Sequence, residues 1–162
     1  MSKKSVEKAL ARANEMCTAS GANLTEKRRH VLAILLIDGV PRSAYEIADA
    51  YAHQWGQSMP ANSVYRILDF LASENLVHKL SSSNKYIACS HITCEHSHQV
   101  PQFLICRECH RVKEVGIDKK IVEALQASCQ QAGFSLVSPQ LELQCVCEAC
   151  SGNAVAGKKE GC

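Results

Sequence analysis

The stretch Ser63-Val64-Tyr65-Arg66-Ile67-Leu68-Asp69-Phe70-Leu71, followed by Leu76-Val77-His78-Lys79-Leu80, the polar quartet Ser81-Ser82-Ser83-Asn84 and then Lys85-Tyr86-Ile87-Ala88-Cys89, decides the fold. Val64, Ile67, Leu68 and Leu71 recur at helical spacing, so one face of a helix is apolar, and Ser63 stands where a capping residue belongs. The two runs after it have strand character and are joined by four turn-forming residues, which predicts a hairpin. Upstream, Val6, Leu10, Ala13 and Cys17 predict a helix over residues 5–20, with Gly21 as its stop. Thr25 is placed to cap a second helix through the apolar run 31–37, ended by Asp38-Gly39. Ser43-Ala44-Tyr45-Glu46 has the Ser and Glu of a capping box and opens a third helix towards Trp55. Helices followed by a two-stranded hairpin are the order of a winged helix, in which the helix before the wing reads DNA.

Beyond Cys89 the character changes. Residues 90–101 are polar and rich in Cys and His, as a linker would be. Residues 102–106 and 112–115 read as strands around Cys106-Arg107-Glu108-Cys109. Ile121, Val122, Leu125 and Cys129 predict a helix over 118–132, stopped by Gly133, with Cys17 and Cys129 both on apolar faces and expected in the core. Residues 134–144 read as one or two strands leading to Cys147-Glu148-Ala149-Cys150. The expected fold is α+β: a winged-helix DNA-binding domain over 1–89, a metal-bearing hinge over 90–101, a small α/β dimerisation domain over 102–150, and a disordered tail over 151–162.

Composition narrows the function. No run approaches the roughly twenty apolar residues of a membrane span, and the opening residues are no secretory signal, so a cytoplasmic protein without a membrane partner is expected. Residues 1–88 carry Lys/Arg 11 against Asp/Glu 8, a mildly basic first half compatible with DNA. The chain has 10 cysteines, and in a reducing compartment clustered cysteines hold metal more often than they form disulfides. A Gly-rich phosphate loop, a nucleophile elbow and a His-Glu-x-x-His motif are all missing, so neither an enzyme nor a small-molecule substrate is expected.

The strongest constellation pairs Cys106 and Cys109 with Cys147 and Cys150. Each Cys-x-x-Cys turn points two thiolates at one ion, and two turns complete a tetrahedral sulfur shell suited to a structural Zn²⁺ or an iron–sulfur site. The second set is His78, Cys89, His96 or His98, and Glu114. Its members come from the wing, the linker and the strand beyond, so one ion bound by them would couple two halves. A Cys among His and carboxylate favours Zn²⁺ over Fe²⁺ or Mn²⁺. The third is the reading helix: Ser63, Tyr65 and Arg66, with Tyr45 nearby, are the candidate DNA contacts, and Lys27, Arg28, Arg29 and Arg42 offer phosphate contacts.

Taken together, these motifs resemble the ferric uptake regulator superfamily, and within it the zinc uptake regulator branch. The resemblance is carried by Leu24-Thr25-Glu26-Lys27-Arg28-Arg29, Ser43-Ala44-Tyr45-Glu46, Ser63 to Leu71, Val77-His78-Lys79, Ser83 to Cys89 and Phe103 to Cys109, and spans residues 5–150. It implies two Zn²⁺ per subunit: a structural one on Cys106, Cys109, Cys147 and Cys150, and a regulatory one on His78, Cys89, a linker histidine and Glu114. It also implies a homodimer that binds an AT-rich inverted repeat in double-stranded operator DNA and represses zinc-uptake genes when zinc is plentiful.

Three positions depart from the branch. Gln99 stands where the linker histidine usually falls, which leaves its neighbour His98 as the expected ligand and His96 as the fallback. Asn62-Ser63 replaces the usual Pro or Thr before Val-Tyr-Arg, and Cys145 replaces a common Gly. Phe103, where the iron branch has a histidine, argues against an iron sensor. The rival expectations are another metal- or peroxide-responsive repressor, a Cys-x-x-Cys thiol oxidoreductase, and a zinc-ribbon adaptor that binds proteins.

Overall fold

Residues 3–93 and 100–152 are described by the structure, a computed structural model. They fall into two compact units, Met1–Thr93 and Cys94–Cys162. The first unit runs α1 (Lys3–Ala19), α2 (Glu26–Asp38), α3 (Ala44–Trp55), α4 (Ala61–Ser73), β1 (Val77–Leu80) and β2 (Lys85–Ala88). Its centre is α2. Val31, Leu32, Ala33, Ile34, Leu35 and Leu36 are buried without a break, so this helix is covered all round and that run needs no polar face. α1, α3 and α4 all pack on it. They bring in Leu10 and Ala13, Ile47 and Tyr51, and Val64, Leu68 and Leu71 respectively. Fully burying a Val, Leu or Ile side chain contributes about 1.5–3 kcal/mol.

The helix starts are chemically distinct. α3 has the capping box: the Glu46 backbone N–H donates to Ser43 Oγ at 3.2 Å, and the Ser43 N–H donates to Glu46 Oε2 at 2.6 Å. Thr25 holds the N-cap place of α2 but its side chain makes no cap bond. At α4 the expectation needs correction. The helix begins at Ala61 with Pro60 as its N-cap, and Ser63 lies inside the first turn. The Pro60 ring presets φ at −59°, and its carbonyl accepts from both the Ser63 and Val64 N–H groups, so the turn closes without a capping side chain.

β1 and β2 form the wing, antiparallel, with His78 opposite Ile87 and Lys79 opposite Tyr86. Asn84 closes the turn at φ 50°, a conformation Asn tolerates better than most residues. Arg42 adds a rung to this sheet. Its N–H donates to the Tyr86 carbonyl at 2.9 Å and its carbonyl accepts from the Tyr86 N–H at 2.7 Å. Lys85 Nζ reaches Glu46 Oε1 at 3.0 Å, so the start of α3 is tied to the wing by both backbone and side chain. At the far end of α3, the Trp55 ring stacks on His30 with centroids 4.1 Å apart, and Tyr51 lies 5.0 Å from Trp55.

The second unit runs β3 (Pro101–Cys106), β4 (Val112–Gly116), α5 (Lys119–Gln131), β5 (Leu141–Cys145) and α6 (Glu148–Ser151). Its sheet has the order β4-β3-β5, with β4 antiparallel and β5 parallel to β3. The parallel pairing needs a crossover, which α5 supplies, so only one strand forms between α5 and Cys147. Asp118 caps α5, accepting from the Lys120 N–H at 2.8 Å. No residue of α5 or β5 is buried, Cys129 included, against its expected place in the core. None of the described residues of this unit covers the apolar side of α5 closely enough to bury it. Among the described residues of this unit, the buried apolar side chains are Phe103, Ile105, Cys106 and Ile117. No helix among the described residues is long and apolar enough to cross a membrane.

The Glu46 carboxyl is held down from 4.5 to about 2, chiefly by the Ser43 backbone N–H and then, against the opposing effect of burial, by Lys85. A folded-state pKa below the unfolded one gives stability that is present above pH 4.5 and lost as pH falls through about 2. The side chain is half exposed, so the effect is modest. Glu46→Gln is expected to destabilise by about 1 kcal/mol at pH 7. In urea melts followed by circular dichroism, that gap should close on acidification towards pH 2; a gap independent of pH would contradict the assignment.

Candidate metal centres and nucleic-acid face

β3 ends at Cys106, whose N–H donates to the Arg111 carbonyl and whose carbonyl accepts from the His110 N–H, each at 2.9 Å. These bonds close the first Cys-x-x-Cys turn, with His110 in the left-handed region at φ 57°. β5 lies parallel to β3 with Cys145 opposite Cys106, and the Arg107 N–H donates to the Cys145 carbonyl. The chain leaving β5 therefore arrives beside that turn. Cys147 is the N-cap of α6 and Cys150 follows within it. The 37 residues between Cys109 and Cys147 thus return the second pair to the first.

The four expected ligands Cys106, Cys109, Cys147 and Cys150 place their sulfurs within 4.8 Å of one another, with Cys109 and Cys147 Sγ atoms 3.6 Å apart. A tetrahedral four-thiolate zinc, with bonds of about 2.3 Å, needs sulfurs about 3.8 Å apart. The quartet fits that ion. Backbone N–H groups, first that of Cys109 and then that of Cys147, draw the Cys106 thiol down to about 6. Cys150 is pushed up to about 12 by its hydrogen bonds with Cys147 and Cys109. The cluster thus holds one ready thiolate but resists accumulating four negative sulfurs without a cation, so metal binding releases protons and weakens in acid. None of these backbone donors shows in a Cys-x-x-Cys spacing. Cys145, the strand partner of Cys106, stands outside the quartet.

In the first unit the wing register puts His78 and Cys89 on one face as diagonal neighbours, since Cys89 donates its N–H to Leu76, two residues before His78. Their ligand atoms lie within 4.8 Å, with Cys89 buried and His78 half-buried. Imidazole beside thiolate is a donor pair suited to Zn²⁺. Glu114 stands on β4 of the second unit, opposite Phe103. His98, its fallback His96, Cys94, Cys162 and the tail from residue 153 onward lie outside the described residues.

On α4, Ser63 and Arg66 are exposed while Tyr65 is half-buried against the helical core, and Tyr45 in the first turn of α3 is exposed. Two of the expected phosphate contacts are engaged internally. The Arg28 guanidinium lies 3.4 Å over the Phe70 ring and also donates to the Asn23 carbonyl, and Arg42 pairs with Asp38 at 2.6 Å. Lys27 and Arg29 remain exposed.

Cys109→Ser is expected to abolish the tightly held metal of the second unit and melt that unit, while the helical signal of the first persists. Metal content after dialysis and far-ultraviolet circular dichroism check this. A variant that keeps both its metal and its second-unit structure would refute a structural role for the quartet.

Known proteins share this arrangement. The ferric uptake regulator family model matches residues 19–144. The zinc uptake regulation protein of Escherichia coli (strain K12) is 31% identical over 150 residues, 93% of this chain and 85% of that protein. Among solved structures, a zinc uptake regulator complexed with zinc and DNA superposes with a TM-score of 0.78 at 28% identity, covering 91% of this chain and 95% of that one. Holo XcZur superposes at 0.74 with 32% identity, covering 88% and 96%. With its winged helix, its four-cysteine cluster and a family match across most of its length, the chain belongs to the ferric uptake regulator family.

Proposed function

We propose that this chain is a cytoplasmic, zinc-responsive transcriptional repressor that binds an AT-rich inverted repeat as a homodimer and silences zinc-uptake genes. The observation that carries this reading is the His78–Cys89 pair on the wing, just before the chain leaves the first unit. The similarity to a zinc uptake regulator solved with zinc and DNA adds to it.

Two zinc sites per subunit divide the labour. Cys106, Cys109, Cys147 and Cys150 hold the structural ion. His78 and Cys89, with Glu114 from the second unit and His98 from the hinge over residues 90–101, hold the regulatory one. When bound, that ion supplies a single Lewis-acid centre shared by donors from both units. With that ion bound, His78 and Cys89 would anchor the wing to it, Glu114 and His98 would anchor the second unit, and the hinge would lose freedom. The two α4 helices of the dimer then match two half-sites, with Ser63, Tyr65, Arg66 and Tyr45 at the DNA. With the ligands apart, ordering the hinge consumes binding free energy and repression lapses.

The second copy is argued from α5, where Ile121 and Leu125 stand exposed one turn apart, and from exposed Phe134 and Leu143 nearby in sequence. Leu125→Glu should shift the sedimentation coefficient from dimer to monomer; an unchanged value would remove α5 from the interface.

Titrating operator DNA binding against buffered free Zn²⁺, with wild type beside Cys89→Ser, tests the reading. Wild type should switch from weak to tight binding by 10-fold or more. Cys89→Ser should lose the switch yet keep one tightly held zinc. Zinc-independent binding by wild type would exclude the sensor.

A further inference from the structure

Asn62 lies in the first turn of α4, four residues before Arg66 and seven before Asp69, so the three form one outward stripe, and all are exposed. Nothing local explains an asparagine there. Pro60 is the N-cap, and its carbonyl already satisfies the Ser63 and Val64 N–H groups, so Asn62 does not cap the helix. Within a helix, Asn is a poorer former than Ala, because its amide competes for backbone partners. Among the described residues, no side-chain hydrogen bond or ion pair engages Asn62, Ser63 or Arg66. Elsewhere in this unit cations are committed within the fold: Arg28 to Phe70 and Asn23, Arg42 to Asp38, Lys85 to Glu46. The outer stripe of α4 is thus left with hydrogen-bonding capacity for an external partner.

A carboxamide offers one donor and one acceptor in a single plane, the complement of adenine N6 and N7 in the major groove. Its short side chain suits the N-terminal end of a reading helix, where base edges come closest. Four residues of helix advance about 6 Å, roughly two base-pair steps, so Asn62 and Arg66 would address different pairs.

We propose that Asn62 is a specificity-determining residue that reads one adenine in each operator half-site. The assignment rests on α4 being the helix that enters DNA. The test is in-vitro selection on a randomised half-site with the zinc-loaded full chain, comparing wild type with Asn62→Ala and Asn62→Gln. Both variants keep a helix-compatible residue at an exposed position, and a thermal melt checks that they fold.

At one A·T pair per half-site, the wild-type preference should fall roughly 10-fold or more in Asn62→Ala, with preferences elsewhere and the zinc response retained. An identical base profile in wild type and Asn62→Ala overturns the role of Asn62 and leaves the repressor reading standing. Uniform weakening on all sequences also overturns it, because that marks a phosphate contact. If zinc-loaded wild type selects no DNA, the assignment falls together with the repressor reading.

Discussion

The shortage of apolar surface in the second unit is the constraint on which the rest depends. Among its described residues, four buried apolar side chains cannot offset the conformational entropy of ordering a three-stranded sheet and a helix. The sulfur quartet joins the end of β3 to the end of β5 through two turns. A metal bound there would act where a core would otherwise be, and in the proposed dimer the exposed face of α5 would be covered by a second copy. In the proposed reading, coordination and association would supply to this unit what packing among its described residues does not.

The first unit is built on the opposite principle. α2 is enclosed by three helices, and its six consecutive buried residues make it the one element that every other helix touches. The wing is not left to its own short hairpin. Arg42 extends its sheet by a backbone rung, and Glu46 caps α3 with one carboxylate oxygen while holding Lys85 with the other. α3, the wing and hence His78 and Cys89 are therefore positioned by one connected set of bonds. In the proposed mechanism this stiffness matters, since a wing that bent easily would absorb a change at His78 and Cys89 without moving α4.

Legibility in the sequence followed the range of the interaction. That the two Cys-x-x-Cys turns meet depends on the β3–β5 pairing across 37 residues. By contrast, Ser43 and Glu46 announce their own capping box, and each Cys-x-x-Cys turn announces itself, because both depend on short spacings. The start of α4 did not, since Ser63 resembles a cap while the Pro60 ring does the work through backbone geometry. Arg28 and Arg42 read as phosphate contacts, and only the tertiary placement of Phe70, Asn23 and Asp38 shows them engaged within the fold. Cys129 read as core because helical spacing reports an apolar face but not whether this chain covers it. The Arg42–Tyr86 rung, between residues far apart in sequence, left no local signal.

The stack of Trp55 on His30 has a consequence for how the protein is observed. Trp55 is the only tryptophan in the chain and belongs entirely to the first unit. Indole emission is therefore a one-sided witness: it follows the helical unit and is blind to collapse of the sheet beyond it. A smooth, single fluorescence transition would look two-state while half the molecule went unmonitored. Only a probe of the other half, such as backbone dichroism or thiol accessibility, can establish whether the two halves melt together.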